Sequence, residues 1–472
     1  MTRVLIFGHA PLPCEDLERS YGPGTRTWQF ASPLIADGHE VVICASRIPF
    51  VYPESMDPVV RSEENGCVVY RVEQTALETG AHAADLVEEV DPDCIVGATA
   101  YPSYIASLYA GLKPLWVDVF GSILAEAQAK AGAYGDDSFI DHFLRINSAL
   151  LESGDRFSTV SVRQSHELVG QLGVTGRLTR DTLGYDFACS IPCGVQNLEM
   201  PPPVDPTRGA ATDGDFVVLW SGGFNTWTDV ATLFKGMEIA MERSPRVRFV
   251  STGGSIQGHD EQTYPRFYEM VEGSRFKDRF HLLGWVKRSE AMSYYGTAGV
   301  GINIDAVHYE VTFGSRNRIL EWALAGLPAI SSDLCELTAD LSGEGLLFAV
   351  PVGDPEALAG KILELERERG MLRETGGRLR DYVLGKYSFG ETTGPLREWV
   401  ADPVHAPDFD KIKVRRLAVL AAALAAAHPP PPPITPDTPA LGKLKHYFRA
   451  DGATSTIKRV PSYVKRKLEK DG

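Results

Sequence analysis

Glu310-Val311-Thr312-Phe313-Gly314-Ser315-Arg316-Asn317-Arg318-Ile319-Leu320-Glu321-Trp322-Ala323-Leu324-Ala325-Gly326-Leu327-Pro328-Ala329-Ile330 is the stretch on which the rest of the chain is read. Gly314 and Ser315 make a flexible approach and an N-cap for a helix beginning near Arg316. Gly326 and Pro328 stop that helix and feed a strand at 329–331. Such a helix start offers free backbone N–H groups and the positive end of a dipole to a diphosphate, and Arg316 or Arg318 would add charge-assisted hydrogen bonds. Glu321, in the second turn, is placed to accept both hydroxyls of a ribose. It stands among Ile319, Leu320, Trp322 and Leu324, where a carboxylate without partners is costly. The plainer alternative is an ordinary strand–helix–strand unit with a polar helix start.

Outward from this segment, short β-branched runs alternate with helical patterns, the mark of parallel α/β sheets. Strands are expected at 3–7, 40–45, 67–72, 94–98, 115–119 and 157–162, with a helix at 25–37 closed by Gly38. Pro201 to Pro203 and the segment 207–214 have linker composition. The pattern then restarts with strands at 216–220, 247–252, 281–283, 300–304 and 329–331, and helices at 229–243, 289–295 and 316–325. The expected fold is two doubly wound Rossmann-like domains facing a cleft, 1–200 and 215–385, joined by a linker at 201–214. Helices follow at 386–428, then a proline-rich spacer at 429–440 and a basic tail at 441–472. Ligands of such sheets sit beyond the carboxyl ends of the strands, so the cleft is the expected active site.

The 472 residues carry a net charge of −15, which argues against a nucleic-acid partner. Seven scattered cysteines lack metal-site spacing and read as reduced thiols, and no acidic pair is spaced for a metal. No charged and apolar leader precedes the first strand, and the apolar run 417–427 is too short to span a bilayer, so a cytoplasmic protein is expected. Gly22, Gly24, Thr25 and Arg26 precede a helix, where glycines permit close approach and the helix start favours an anion. His39, at the end of that helix, reads as a structural complement to its dipole.

Several stretches, taken in order, resemble the group 1 (family 4) glycosyltransferases, retaining enzymes of GT-B architecture. They are Gly22 to Arg26 with Gly38-His39-Glu40-Val41, Ser161 with Ile191-Pro192-Cys193-Gly194-Val195, and Leu219-Trp220-Ser221-Gly222-Gly223. Gly253-Gly254, Gly284-Trp285-Val286, Glu321 to Pro328 and Tyr387-Ser388-Phe389 complete the series. The resemblance covers roughly residues 1–400. It implies transfer of a sugar from a nucleotide-diphosphate donor with retention, by front-face attack of an acceptor hydroxyl on an oxocarbenium-like centre, without metal or other cofactor.

By the same resemblance, Gly24, Thr25 and Arg26 form the acceptor loop. Gly223, Ser315, Arg316, Arg318, Glu321 and Lys235 serve the donor, and Asp118 and Glu310 are the catalytic candidates. Three departures stand out. The family's two glutamates lie eight residues apart, whereas Glu310 precedes Glu321 by eleven. The family's Arg and Lys after the second domain's first strand are missing, with no basic residue until Lys235. A family His is replaced around Asp118.

Two rivals follow from these departures. One is an NDP-sugar epimerase using Glu310, Asp118 and Asp136-Asp137; the other is a non-catalytic GT-B scaffold. Beyond Leu441 lie nine Lys or Arg against three Asp or Glu, a net of +6 beside −21 on the rest. Mixed with apolar residues, that tail suits peripheral contact with an anionic membrane face, where a lipid-linked glycan acceptor would lie. A tail folded onto the acidic body, or disordered, is the alternative.

Overall fold

The computed structural model of the chain describes residues 1–19, 21–210, 212 and 214–427. The spacer and basic tail, and with them the expectation of membrane contact, lie outside the described residues.

The first sheet contains β1 (Arg3–Ala10), β2 (Glu40–Arg47), β3 (Val59–Glu64), β4 (Cys67–Glu73), β5 (Cys94–Gly97), β6 (Leu115–Val119), β7 (Arg156–Thr159) and β8 (Ala188–Ser190). Its order is β3-β4-β2-β1-β5-β6-β7-β8, parallel throughout except for β3 against β4. The second sheet is β9 (Phe216–Trp220), β10 (Val247–Ser251), β11 (Phe280–Leu282), β12 (Val300–Asn303), β13 (Ala329–Ser332) and β14 (Phe348–Val350). It runs β11-β10-β9-β12-β13-β14, all parallel. Central strands are covered by helices on both faces, so Val4 to Phe7 and Val218 to Trp220 are fully buried runs rather than alternating ones. This is the two-sheet α/β architecture that the alternating pattern implied.

Three short strands were not anticipated. β3 joins β4 through Asn65-Gly66, both at positive φ (50° and 81°), a hairpin whose Asn-Gly signal is visible in the sequence. β8 and β14 are three-residue strands at sheet edges, too short to show a period. The strand expected at 157–162 stops at Thr159. Ser161 instead caps the helix Val162–Val174, its Oγ accepting from the Gln164 N–H.

After the second sheet the chain returns to the first. Phe389, Leu396, Trp399 and Val400 join the core beneath β1 and β6, with the Trp399 ring tilted against Trp116, centroids 5.5 Å apart. The alanine-rich helix runs Phe409–Ala427. It is anchored by buried Arg416, whose Nη1 lies 2.9 Å from Asp155. Asp155 also accepts from the backbone N–H groups of Leu115 and Ala406. Asp408, just ahead of the helix, holds buried Arg177 through two bonds of 2.9 and 2.8 Å. Removing either acid would strand a buried cation, so these pairs lock the returning segment to the first sheet.

Candidate functional site

The carboxyl ends of the two sheets face each other across a cavity of about 590 Å3, a size typical of small-molecule sites. Direct bonds join its rims. Ser161 Oγ donates to the Phe313 carbonyl at 2.7 Å, and Asp16 accepts from the N–H and hydroxyl of Ser289. Glu336 accepts from the N–H groups of Val162 and Arg163.

On the second sheet's side, Gly222 and Gly253 stand in the loops just after β9 and β10 at positive φ (88° and 83°). A Cβ on Gly253 would stand 2.2 Å from the Gly222 carbonyl, so only glycine lets these two loops meet. The helix Asn317–Leu324 begins one residue later than its sequence suggests: Arg316 occupies the cap position, and Ser315 lines the cavity without capping.

Arg318 points back over this floor. Its guanidinium lies 3.9 Å above the Trp220 ring, and Nη2 donates to the Gly223 carbonyl at 2.8 Å. Nη1 is buried without a partner, and burial pushes the group down to about 10, still a cation at neutral pH. Glu321 lines the cavity one turn further on, its Oε1 3.3 Å from Nη2 of Arg288. Arg288 opens the helix Arg288–Tyr295, and sequence reasoning missed it. The available signal was its position just behind Gly284-Trp285-Val286.

Glu310, Asp305 and Arg316 form a buried ionic cluster beside these groups. Arg316 Nε donates to Asp305 at 2.6 Å, and Nη2 to Glu310 at 3.0 Å. The expectation that Arg316 holds donor phosphate meets a different geometry: Arg316 lines the cavity, but its guanidinium is already engaged by Asp305 and Glu310. Glu310 lines the cavity; burial raises its carboxyl to about 7, partly offset by Arg316. Asp305, at the end of the β12 run, carries no motif that would have marked it.

On the first sheet's side, Thr25 lines the cavity, while Gly24 is a packing residue. A Cβ there would stand 1.9 Å from the Pro11 carbonyl. Arg26 also lines the cavity, but its guanidinium is held by Asp118, Nε at 3.0 Å and Nη2 at 2.7 Å. Asp118 also accepts from the Thr99 N–H and Ser158 Oγ. Both its oxygens are thereby occupied, and Phe120 and Gly121 line the cavity in its place, which corrects the reading of Asp118 as catalytic. Lys235 is likewise corrected: it is exposed on the helix Val230–Arg243, away from the cavity, because that helix turns its charged face to solvent.

Among the described residues, no three His, Cys, Asp or Glu cluster in a way that could hold a metal ion, and no helix is long and apolar enough to cross a membrane. No curated protein sequence matches the chain. Several solved structures share its fold. Sucrose-phosphate synthase from Thermosynechococcus elongatus superposes with a TM-score of 0.64 at 17% identity, covering 90% of this chain and 100% of that one. HepE (Alr3699) from Anabaena, in complex with UDP and glucose, gives 0.59 at 14% identity, covering 85% and 100%. The trehalose-6-phosphate protein from E. coli, bound with UDP-2-fluoro glucose, gives 0.61 at 11%, covering 86% and 100%. Residues 215–368 match the family described as Glycosyl transferases group 1. The segment carrying Arg288, Glu310, Arg318 and Glu321 thus lies within the stretch that is similar to the group 1 glycosyltransferases, in a chain with the GT-B fold that the sequence motifs implied.

Proposed function

We propose that the protein transfers a sugar from a nucleoside-diphosphate donor, bound on the second sheet's side, to an acceptor hydroxyl presented from the first. The observation that carries this reading is Arg318: a cation with no carboxylate in hydrogen-bond contact and a buried, unpartnered Nη1, set in the cavity wall. A cation so placed is costly until an anion meets it. A diphosphate supplies that anion, with Arg288 as the second cation. Together they replace the Arg and Lys that the family carries after β9.

In this arrangement Glu321 accepts the ribose hydroxyls, and its contact with Arg288 ties ribose and phosphate recognition together. Glu310 faces the transferred sugar. The acceptor oxygen bonds to the anomeric carbon as the bond to the diphosphate oxygen breaks. The departing diphosphate takes the electron pair and the acceptor's proton. Arg288 and Arg318 stabilise the charge that develops there, and the cavity between the two sheets orients the two substrates. Retention and independence of metal are carried over from the family resemblance.

Calorimetric titration with UDP, GDP, dTDP and ADP tests the donor site. At least one should bind, and UDP, present in the structural relatives, is the first candidate. If none binds, the donor reading fails and a scaffold role is favoured.

A further inference from the structure

Two side chains in the cavity wall are left unused by the donor reading. Glu126 stands on the helix Ile123–Tyr134 of the first sheet's side, and His259 on the loop that follows β10 on the second. They face each other across the cleft, with His259 Nδ1 3.7 Å from Glu126 Oε1, too long for a hydrogen bond. Neither ring nitrogen of His259 makes a hydrogen bond among the described residues. Burial holds the imidazole below its ordinary range, so the ring is neutral at physiological pH. Glu126 Oε1 lies 3.3 Å from Lys130 Nζ, and its Oε2 accepts nothing among the described residues.

Both side chains are positioned from behind. Buried Asp260 accepts from the N–H groups of Gln262 and Thr263 and from the Thr263 hydroxyl, which fixes the loop beside His259. The Glu261 N–H donates to Tyr134 Oη at 2.9 Å and ties that loop to the end of Glu126's helix. The rings of Trp227 and His259 meet edge to face, centroids 6.2 Å apart.

Their place along the cavity assigns them a part of the ligand. Arg316, at the cap of the helix Asn317–Leu324, marks the Glu310 end; Glu321 marks the ribose end one turn beyond Arg318. Trp227 lies at the Glu310 end, its ring 5.6 Å from the Arg316 guanidinium, and it carries His259 with it. The helix of Glu126 packs on the short helix Tyr309–Phe313 that bears Glu310. A donor whose diphosphate meets Arg318 and whose ribose meets Glu321 therefore extends its sugar toward Glu126 and His259.

We propose, resting on the donor reading above, that Glu126 and His259 hold the hydroxyls of the transferred sugar, a neutral hexose, so that each wall of the cleft supplies one side chain to select it. The carboxylate accepts from one hydroxyl, while the neutral imidazole donates from one nitrogen and accepts at the other.

The test is calorimetric titration of the full chain with the nucleoside diphosphate that binds and with its glucose, galactose and mannose conjugates. At least one conjugate should bind. His259→Phe keeps a ring beside Trp227 but removes both nitrogens, and Glu126→Gln keeps the shape but removes the charge. Each should weaken that conjugate at least fivefold, while the bare nucleotide, which also reports folding, shifts less than twofold. Glu126→Asp keeps the counter-charge to Lys130 but draws the carboxylate back, and it should show the same selective loss if Glu126→Gln does not fold. Equal weakening of nucleotide and conjugate, an unchanged conjugate, or failure of all three conjugates to bind protein that binds the nucleotide overturns the proposal. If no nucleoside diphosphate binds, the donor reading itself fails, and this proposal with it.

Discussion

Replacing Arg318 with Met separates ligand binding from folding, because its contacts in the ligand-free protein are partly offset by the cost of burying it, whereas its bonds to a diphosphate are not. In the ligand-free protein, Arg318 gains one hydrogen bond to the Gly223 carbonyl and a contact with the Trp220 ring. A charged hydrogen bond contributes about 1.5–3 kcal/mol and a partly desolvated cation–π contact about 1–2 kcal/mol. Against these stands a buried cation with an unpartnered Nη1, whose penalty of about 1–3 kcal/mol offsets part of them. Methionine keeps most of the apolar stem and removes both sides of the balance, so stability in urea should fall by only about 2 kcal/mol. Binding has no such compensation. One or two charge-assisted bonds to the diphosphate are lost, about 2–4 kcal/mol, or roughly 30- to 1,000-fold in Kd. Calorimetry should show this loss for UDP, or for whichever nucleoside diphosphate binds, and little change for the matching nucleoside. A Kd shift below threefold, or equal weakening of nucleoside and diphosphate, would refute the assignment of Arg318 to the phosphates.

Other perturbations probe the remaining groups. Glu321→Gln keeps the shape but removes the charge, so nucleoside and nucleoside diphosphate should both weaken about tenfold or more; unchanged affinities in a folded variant remove Glu321 from the site. Asp118→Asn should act on folding, costing about 3–5 kcal/mol in urea unfolding because buried Arg26 loses its counter-charge. A variant of full stability but without activity would return Asp118 to the chemistry. Glu310 has a folded-state carboxyl raised to about 7, above its unfolded range, so the native state holds the extra proton between about pH 4.5 and 7. Its contribution to stability therefore falls as pH rises through that window. The unfolding free energy of the wild type, measured relative to Glu310→Gln, should decline from pH 4.5 to 7; a flat difference contradicts the raised carboxyl.

Secondary structure and fold class were legible because they are local. Val4 to Phe7 and Val218 to Trp220 read as buried strands from their own residues, and the stretch 310–330 carries its own start and stop signals. The same locality brought Arg318 and Glu321 forward as site residues, since three positions along one helix place both on nearby turns. The short edge strands β8 and β14 escaped notice, because three residues set no period and pairing alone makes them strands. The charges were decided in three dimensions. Nothing in the sequence shows that Arg316 is engaged by Asp305 and Glu310, or that Arg26 is consumed by Asp118 from a strand 92 residues away. Nor does it show that Arg288 crosses 33 residues to reach Glu321. An ionisable side chain is available for chemistry only if no neighbour has already satisfied it. Its neighbours come from distant strands and helices, so which of these charges is free for a ligand is settled by the tertiary fold.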